Sequence, residues 1–166
     1  PETRRVNRAE LTALAQRTEW PETLLVRPIG DHGGDDLKRI SAPADLAAYL
    51  DVIRTEEHYL TRYWEYRSPD GHYRKYRFVF VDREAFSYHL AIADDWLVHY
   101  WRADMTRAAW MRAEEEAFLA NYEQAFPGAL AETIREIGRR LDLDYGGIDC
   151  ALTQDGRVLL FEANAT

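Results

Sequence analysis

Two carboxylates and an amide near the C-terminal end of the sequence carry its densest chemistry: Asp149 in Gly147-Ile148-Asp149-Cys150-Ala151-Leu152-Thr153, and Glu162 and Asn164 in Val158-Leu159-Leu160-Phe161-Glu162-Ala163-Asn164. Between these runs stands Asp155-Gly156, a strong two-residue hairpin signal, because both central positions of a type I′ turn require positive φ. Such a loop sets Asp149 opposite Glu162, Cys150 opposite Phe161 and Leu152 opposite Leu159. Ile148, Cys150, Leu152, Leu159, Phe161 and Ala163 then line a core-facing side, and Asp149, Glu162 and Asn164 share the other. Two carboxylates about 5 Å apart repel unless a cation or a proton lies between them. Oxygen ligands with no His or Cys among them suit Mg2+ or Mn2+ rather than zinc, and Mg2+ commonly combines one or two carboxylates with substrate phosphates. A hairpin whose polar face is simply wet is the competing reading, and antiparallel sheets permit it.

A second constellation is Arg27-Pro28-Ile29-Gly30-Asp31-His32-Gly33-Gly34, a cation on a strand that runs into a glycine-rich loop. Glycines there let backbone N–H groups approach an anion closely, with His32 in the same loop, although such a loop alone is most often only a turn. Lys75 and Arg77 lie two apart on a strand, so both side chains point the same way, toward a counter-ion or, on a solvated edge, toward water. Together, an acidic face, a glycine-rich loop and a cationic strand are the parts that hold a nucleoside triphosphate with its metal. His89 and His99 flank Asp94-Asp95, but their spacing fits no zinc pattern. Trp96, Trp101 and Trp110 could form a stacking platform, with aromatic packing in a core or interface as the default.

The elements that must position these residues follow from periodicity. Asn7 with Glu10 resembles a capping pair ahead of a short helix through Leu11, Leu14 and Ala15. Leu24–Ile29 reads as a strand. Leu46, Tyr49, Leu50 and Ile53 mark a second helix after Ser41-Ala42-Pro43. Tyr59–Tyr66 reads as a strand, Ser68-Pro69-Asp70-Gly71 as a turn, and Tyr76, Phe78 and Phe80 as the inward positions of a strand that pairs with Ala85–Ala93. A helix is expected over Thr106–Phe126, burying Met111, Phe118, Tyr122 and Phe126 and leaving Glu114-Glu115-Glu116 solvated. Leu130, Ile134, Ile137 and Leu141 define a further helix.

The whole is α+β. At 166 residues with 46% hydrophobic side chains the chain can bury one good core, with a seam near residue 60 separating a small lobe (1–60) from a C-terminal lobe (61–166). A net charge of −8 argues against a nucleic-acid polymer as partner. Cys150 is the single cysteine, so no intrachain disulfide can form. No apolar run approaches a membrane span and no signal-peptide core is visible, so a cytoplasmic protein without membrane contact is expected.

The order of these motifs resembles the ATP-grasp superfamily over nearly the whole chain. Asp149…Glu162-Ala163-Asn164 is similar to that family's metal-binding Asp…Glu-x-Asn. Arg27 to Gly34 resembles its lysine-proline strand and phosphate loop, with arginine in the lysine's place. Arg62-Tyr63-Trp64-Glu65 resembles the hinge whose backbone contacts adenine, with Glu65 or Asp70 as ribose ligand, and Arg77 resembles the arginine that contacts phosphate. Asp70-Gly71-His72-Tyr73-Arg74-Lys75-Tyr76-Arg77, with His89-Leu90-Ala91-Ile92 and Asp95-Trp96, looks like the ATP-grasp-like domains at the C-terminus of bacterial tetratricopeptide-repeat proteins. The resemblance implies two small lobes with antiparallel sheets, packed helices and a nucleotide cleft between them, in a chain lacking the N-terminal lobe and joined to other domains of a longer parent. It implies ATP and Mg2+ (or Mn2+) as cofactors, catalytic roles for Lys75 and Arg77, and ligation of a small-molecule or peptide carboxylate to an amine or related nucleophile through an acyl phosphate. The alternative is a nucleotide-sensing or protein-interaction module that keeps the fold without the chemistry.

Overall fold

The computed structural model describes residues 3–20, 22–30 and 34–165. The chain divides into two compact units, Pro1–Trp64 and Glu65–Thr166, each built on one four-stranded antiparallel sheet. The expected α+β class, two antiparallel sheets with packed helices, is what the chain adopts.

In the first unit β1 (Thr3–Asn7), β2 (Leu24–Pro28), β3 (Lys38–Ile40) and β4 (Glu57–Arg62) form a sheet of order β1-β4-β2-β3. Helices α1 (Arg8–Ala15) and α2 (Pro43–Val52) share a core with one face of it, through Leu11, Val26, Ile40, Leu46, Leu50 and Leu60. The capping pair forms as expected: Asn7 Oδ1 accepts from Glu10 N at 2.9 Å, and Asn7 N donates to Glu10 Oε2 at 2.7 Å. At α2, Ala42 has no side chain to cap with, and Asp45 Oδ2 accepts from the N–H groups of Ser41 and Ala42 instead. The expected strand to Tyr66 is shorter, because β4 ends at Arg62. Beyond it Glu65 Oε1 accepts from Tyr66 N (3.1 Å) and Arg67 N (2.9 Å), a local turn that competes with ladder pairing.

In the second unit β5 (Tyr73–Val81), β6 (Glu84–Ala93), β7 (Tyr145–Leu152) and β8 (Val158–Asn164) give the order β6-β5-β7-β8. Helices α3 (Ala109–Ala120) and α4 (Ala129–Leu141) join one face of this sheet in a core centred on Phe78, which meets Phe118, Tyr122 and Phe126 edge-on with ring centroids 5.2–5.3 Å apart. The long helix expected over Thr106–Phe126 is broken. Asn121 is extended (φ −160, ψ 95) and its side chain accepts from Glu123 N at 3.0 Å, so a 3-10 turn (Tyr122–Gln124) follows α3, yet Met111, Phe118 and Phe126 still reach the core. Nor is the acidic run solvated throughout. Glu114 is bonded by Arg74, and Glu115 Oε1 accepts from Leu90 N at 3.2 Å, giving a partner to an N–H of β6, an edge of the sheet.

Two hairpin turns depart from simple expectation. The β5–β6 loop is Asp82-Arg83, with φ of 48° and 70°, a two-residue connection with positive φ at both positions and no glycine. Between β7 and β8, Thr153 N donates to Arg157 O and Gly156 N to Thr153 O, both at 2.9 Å, so the loop holds three residues and only Gly156, not Asp155, has positive φ. Near this turn Cys150 therefore faces Leu160 and Leu152 faces Val158, correcting the expected partners. A bulge then restores the register, and Asp149 pairs with Glu162 after all. Phe161, the extra residue of the bulge, and Ala163 are exposed rather than core-facing, and Leu159, opposite Ala151, is buried on the Asp149 face rather than beside Cys150.

Candidate functional site

Strand alternation sends Tyr76, Phe78 and Phe80 toward the helices, and Lys75 and Arg77 to the opposite face. Register carries that face across the sheet. His89 pairs with Arg77, Arg77 with Asp149, and Asp149 with Glu162, so one row of titratable side chains crosses all four strands, and Asn164 stands two pairs along on the same face, opposite Gly147.

The row is tightly bonded. Asp149 accepts from Lys75 Nζ on Oδ2 (2.8 Å) and from Arg77 Nη1 on Oδ1 (3.0 Å). The other guanidinium nitrogen, Nη2, donates to Asn164 Oδ1 at 2.7 Å, and Asn164 Nδ2 donates to Glu162 Oε1 at 3.3 Å. Glu162 lies 3.9 Å from Arg77. The side chains of Lys75, Arg77 and Asp149 are 16%, 13% and 11% exposed, against 57% for Glu162. Burial works to raise the Asp149 pKa, but the bonds and charges of Lys75 and then Arg77 outweigh it, so the carboxylate is held ionised below its ordinary range. His89 is pushed down to about 4, chiefly by burial, with Asp149 opposing and Lys75 and Arg77 assisting. It is neutral at pH 7, stacked on Tyr100 with ring centroids 4.2 Å apart.

Sequence reasoning missed two members of this face. Gly147 is the berth of Arg77: a Cβ there would lie 2.8 Å from Nη2 and 3.0 Å from Cζ, so only a bare backbone lets the guanidinium lie across β7 to reach Asn164. His89 reaches the row because the β5–β6 register shifts between Arg77 and Phe78; without that shift Tyr88 would face Arg77. A glycine two residues before a strand carboxylate was the visible signal for the first; the sequence singled out His89 only with His99 and Asp94-Asp95, and no local signal placed it opposite Arg77.

The acid pair therefore meets its counter-charge in Lys75 and Arg77, which corrects the inference that repulsion between Asp149 and Glu162 calls for a divalent ion. Among the described residues no group of three His, Cys, Asp or Glu could hold a metal. The donor set is two carboxylates and an amide oxygen, and it does converge on a cation: the Arg77 guanidinium bonds Asp149 and Asn164 and lies close to Glu162. By donor chemistry these residues fit a hard divalent ion, with Lys75 and Arg77 as the groups that must give way.

The remaining candidates stand elsewhere. Asp70 gives both oxygens to Arg74 (3.0 and 2.7 Å), which also bonds Glu114 of α3, so Asp70 belongs to the helix-side network rather than to the charged row. Glu65 is engaged with its own neighbours. Asp94 pairs with Arg107 and Asp95 caps Trp96 N, so these acids serve loop structure. Trp110 packs on His72 and Arg74, whereas Trp101 is 93% exposed.

On the first unit Arg27 projects from the sheet face away from the helices, its guanidinium 5.4 Å from the centroid of its strand partner Tyr59. Gly30 and Gly34 have φ of 88° and 74°. His32 and Gly33 lie outside the described residues. Arg62 pairs with Glu22 (2.7 Å) and covers Trp64 (5.0 Å), and Tyr63 lies under Arg39 (5.3 Å) while its N–H donates to Thr23 O.

No family model matches the chain, and no curated protein matches it significantly. Solved structures do. D-alanyl-alanine synthetase A from Vibrio cholerae is 12% identical with a TM-score of 0.61, over 99% of this chain and 50% of that one. Carboxyaminoimidazole ribonucleotide synthase from Aspergillus clavatus, complexed with ATP, is 14% identical with a TM-score of 0.53, over 99% and 40%. D-alanine-D-alanine ligase from Coxiella burnetii is 9% identical with a TM-score of 0.50, over 99% and 42%. The chain spans half or less of each of these enzymes. At such identities the likeness is one of fold: the chain shares the fold of part of each of these enzymes.

Proposed function

We propose that this chain is the nucleotide-binding part of an ATP-dependent ligase that joins a carboxylate to an amine or related nucleophile, working within a longer polypeptide. The observation that carries the reading is the row of Lys75, Arg77, Asp149 and Glu162, with Asn164 beside it, on the sheet face turned away from α3 and α4. A carboxylate oxygen of the substrate attacks the γ-phosphorus, the bond to the bridging oxygen breaks, and ADP departs. The nucleophile then attacks the acyl carbon, releasing inorganic phosphate and its own proton. Lys75 and Arg77 meet the charge that develops on the transferring phosphoryl oxygens, in a site that excludes much of the solvent. Asp149, Glu162 and Asn164 would hold Mg2+ (or Mn2+), which when bound offsets phosphate charge. Arg27, Gly30, His32, Gly33 and Gly34 are proposed as phosphate contacts, and Arg62, Tyr63, Trp64 and Glu65 as contacts to the nucleoside.

Calorimetry with ATP, with and without Mg2+, followed by an ADP-release assay against a panel of carboxylates, tests this reading. Mg2+-dependent ATP binding is expected, with turnover lost in Glu162→Gln. Absence of ATP binding at millimolar nucleotide with Mg2+ present overturns it. A second reading, a nucleotide-sensing module without ligase chemistry, draws on Asp149 having both oxygens taken by the chain's own cations. Binding without ADP release on any carboxylate would select it.

A further inference from the structure

We propose that Lys75 and Arg77 form a built-in counter-ion lock, so that the acidic site takes up a divalent cation only when a polyphosphate has drawn these two side chains away. The inference rests on the nucleotide reading above and adds an order of events to it. Both oxygens of Asp149 and the amide oxygen of Asn164 are already acceptors from Lys75 or Arg77, at 2.7–3.0 Å. A metal arriving alone must displace an ammonium and a guanidinium from largely buried positions and then share the site with both positive charges. A polyphosphate arriving alone must compete with Asp149 for the same two cations. Arriving together, each takes the partner that the other releases: the phosphates take Lys75 and Arg77, and the freed oxygens take the metal.

Gly147 keeps the lock closed, because its missing side chain leaves the flat berth on which the Arg77 guanidinium rests. The stacked, neutral His89 adds no further charge to the row. Lys75 and Arg77 are long and flexible enough to leave without moving the sheet, whereas Asp149 is fixed on β7, an interior strand. The moving parts are thus the cations.

The lock has two signatures, and each can be read with one ligand at a time. With inorganic tripolyphosphate in EDTA, Asp149→Asn should bind about tenfold more tightly than the wild type, within the usual range for coupled sites, since the carboxylate that holds Lys75 and Arg77 is gone. With Mn2+ alone, followed by electron paramagnetic resonance, Lys75→Met should bind about tenfold more tightly than the wild type, since Oδ2 of Asp149 is released. A wild-type measurement guards against a folding defect in either variant: Mn2+ alone should leave the Asn164 side-chain amide resonance sharp, and tripolyphosphate in EDTA should shift it. Tripolyphosphate binding no tighter in a folded Asp149→Asn, Mn2+ affinity equal in wild type and Lys75→Met, or broadening of the Asn164 signal by Mn2+ alone would each overturn the lock. If Mg2+-ATP binds the wild type while these results appear, the nucleotide reading stands and only the lock falls.

Discussion

Replacing Gly138 by alanine tests the packing of α4 on its sheet, because two effects of known sign oppose each other there. Inside a helix, alanine is favoured over glycine by about 1 kcal/mol, so a surface-helix argument predicts that Gly138→Ala stabilises the protein. The packing predicts the reverse. A Cβ at Gly138 would stand 2.6 Å from Arg83 O and 2.6 Å from Phe80 Cδ1, where carbon contacts prefer about 3.5–4.0 Å. Neither neighbour yields easily. Arg83 O belongs to the two-residue turn whose Asp82 N donates to Asp144 O at 2.8 Å, and the Phe80 ring is 1% exposed within the core. Overpacking of this kind costs about 1–3 kcal/mol, so after the helix gain is subtracted the net loss should be about 1 kcal/mol, with faster hydrogen exchange in α4. Urea unfolding followed by circular dichroism reads the first effect, and native-state exchange of the α4 amides reads the second. Ala113→Gly in α3, at an exposed position, supplies the comparison and should lose about 1 kcal/mol by propensity alone. A Gly138→Ala protein as stable as the wild type, or more so, would refute the close approach of α4 to the β5–β6 hairpin.

Other perturbations follow from single contacts. Arg74→Met leaves Asp70 and Glu114 without their shared cation; because both acids keep some solvent, the loss should be about 2 kcal/mol, below the range for fully buried pairs, and a change under half of that in urea unfolding would show the network to be ornamental. Arg83→Gly relieves a positive φ of 70° while giving up ion pairs to exposed acids, so the urea midpoint should hold or rise; a clear fall would mean that those pairs matter more than the turn. His58 is fully buried and burial lowers its pKa, so the unfolded chain binds the proton more readily: stability is intact above about pH 6.5 and declines as pH falls below it. His58→Phe should flatten that acid leg for the first unit, and an unchanged slope between pH 7 and pH 5 would assign it to other groups.

The sequence was most legible where one local rule acts alone. Asn7 with Glu10 announced α1, Pro43 opened α2, and the alternation around Phe78 announced β5 and the face on which Lys75 and Arg77 stand. β1 and β3 left no signal, since Thr-Arg-Arg-Val-Asn holds a single buried residue and β3 is three residues long; their pairing is decided by β4 and β2, not by their own pattern. The pairing of Asp149 with Glu162 was reached through a wrong turn, because the three-residue loop displaces the register by one and the bulge displaces it back. Which charges meet on the resulting face was beyond local reasoning. That Asp149 would be satisfied by Lys75 and Arg77 needs the β5–β7 pairing, a contact between strands more than sixty residues apart in the chain.

The bulge on β8 has a bearing on self-association. Leu160 and Phe161 are 37% and 41% exposed on a strand that ends its sheet, the kind of border along which copies of a chain can stack into fibres. An extra residue at that point breaks the even spacing of outward amide and carbonyl groups, and the charge of Glu162 follows at once. A straight β8 with one residue fewer would keep the same internal partners and lose this guard, turning a soluble border into a template for polymer growth.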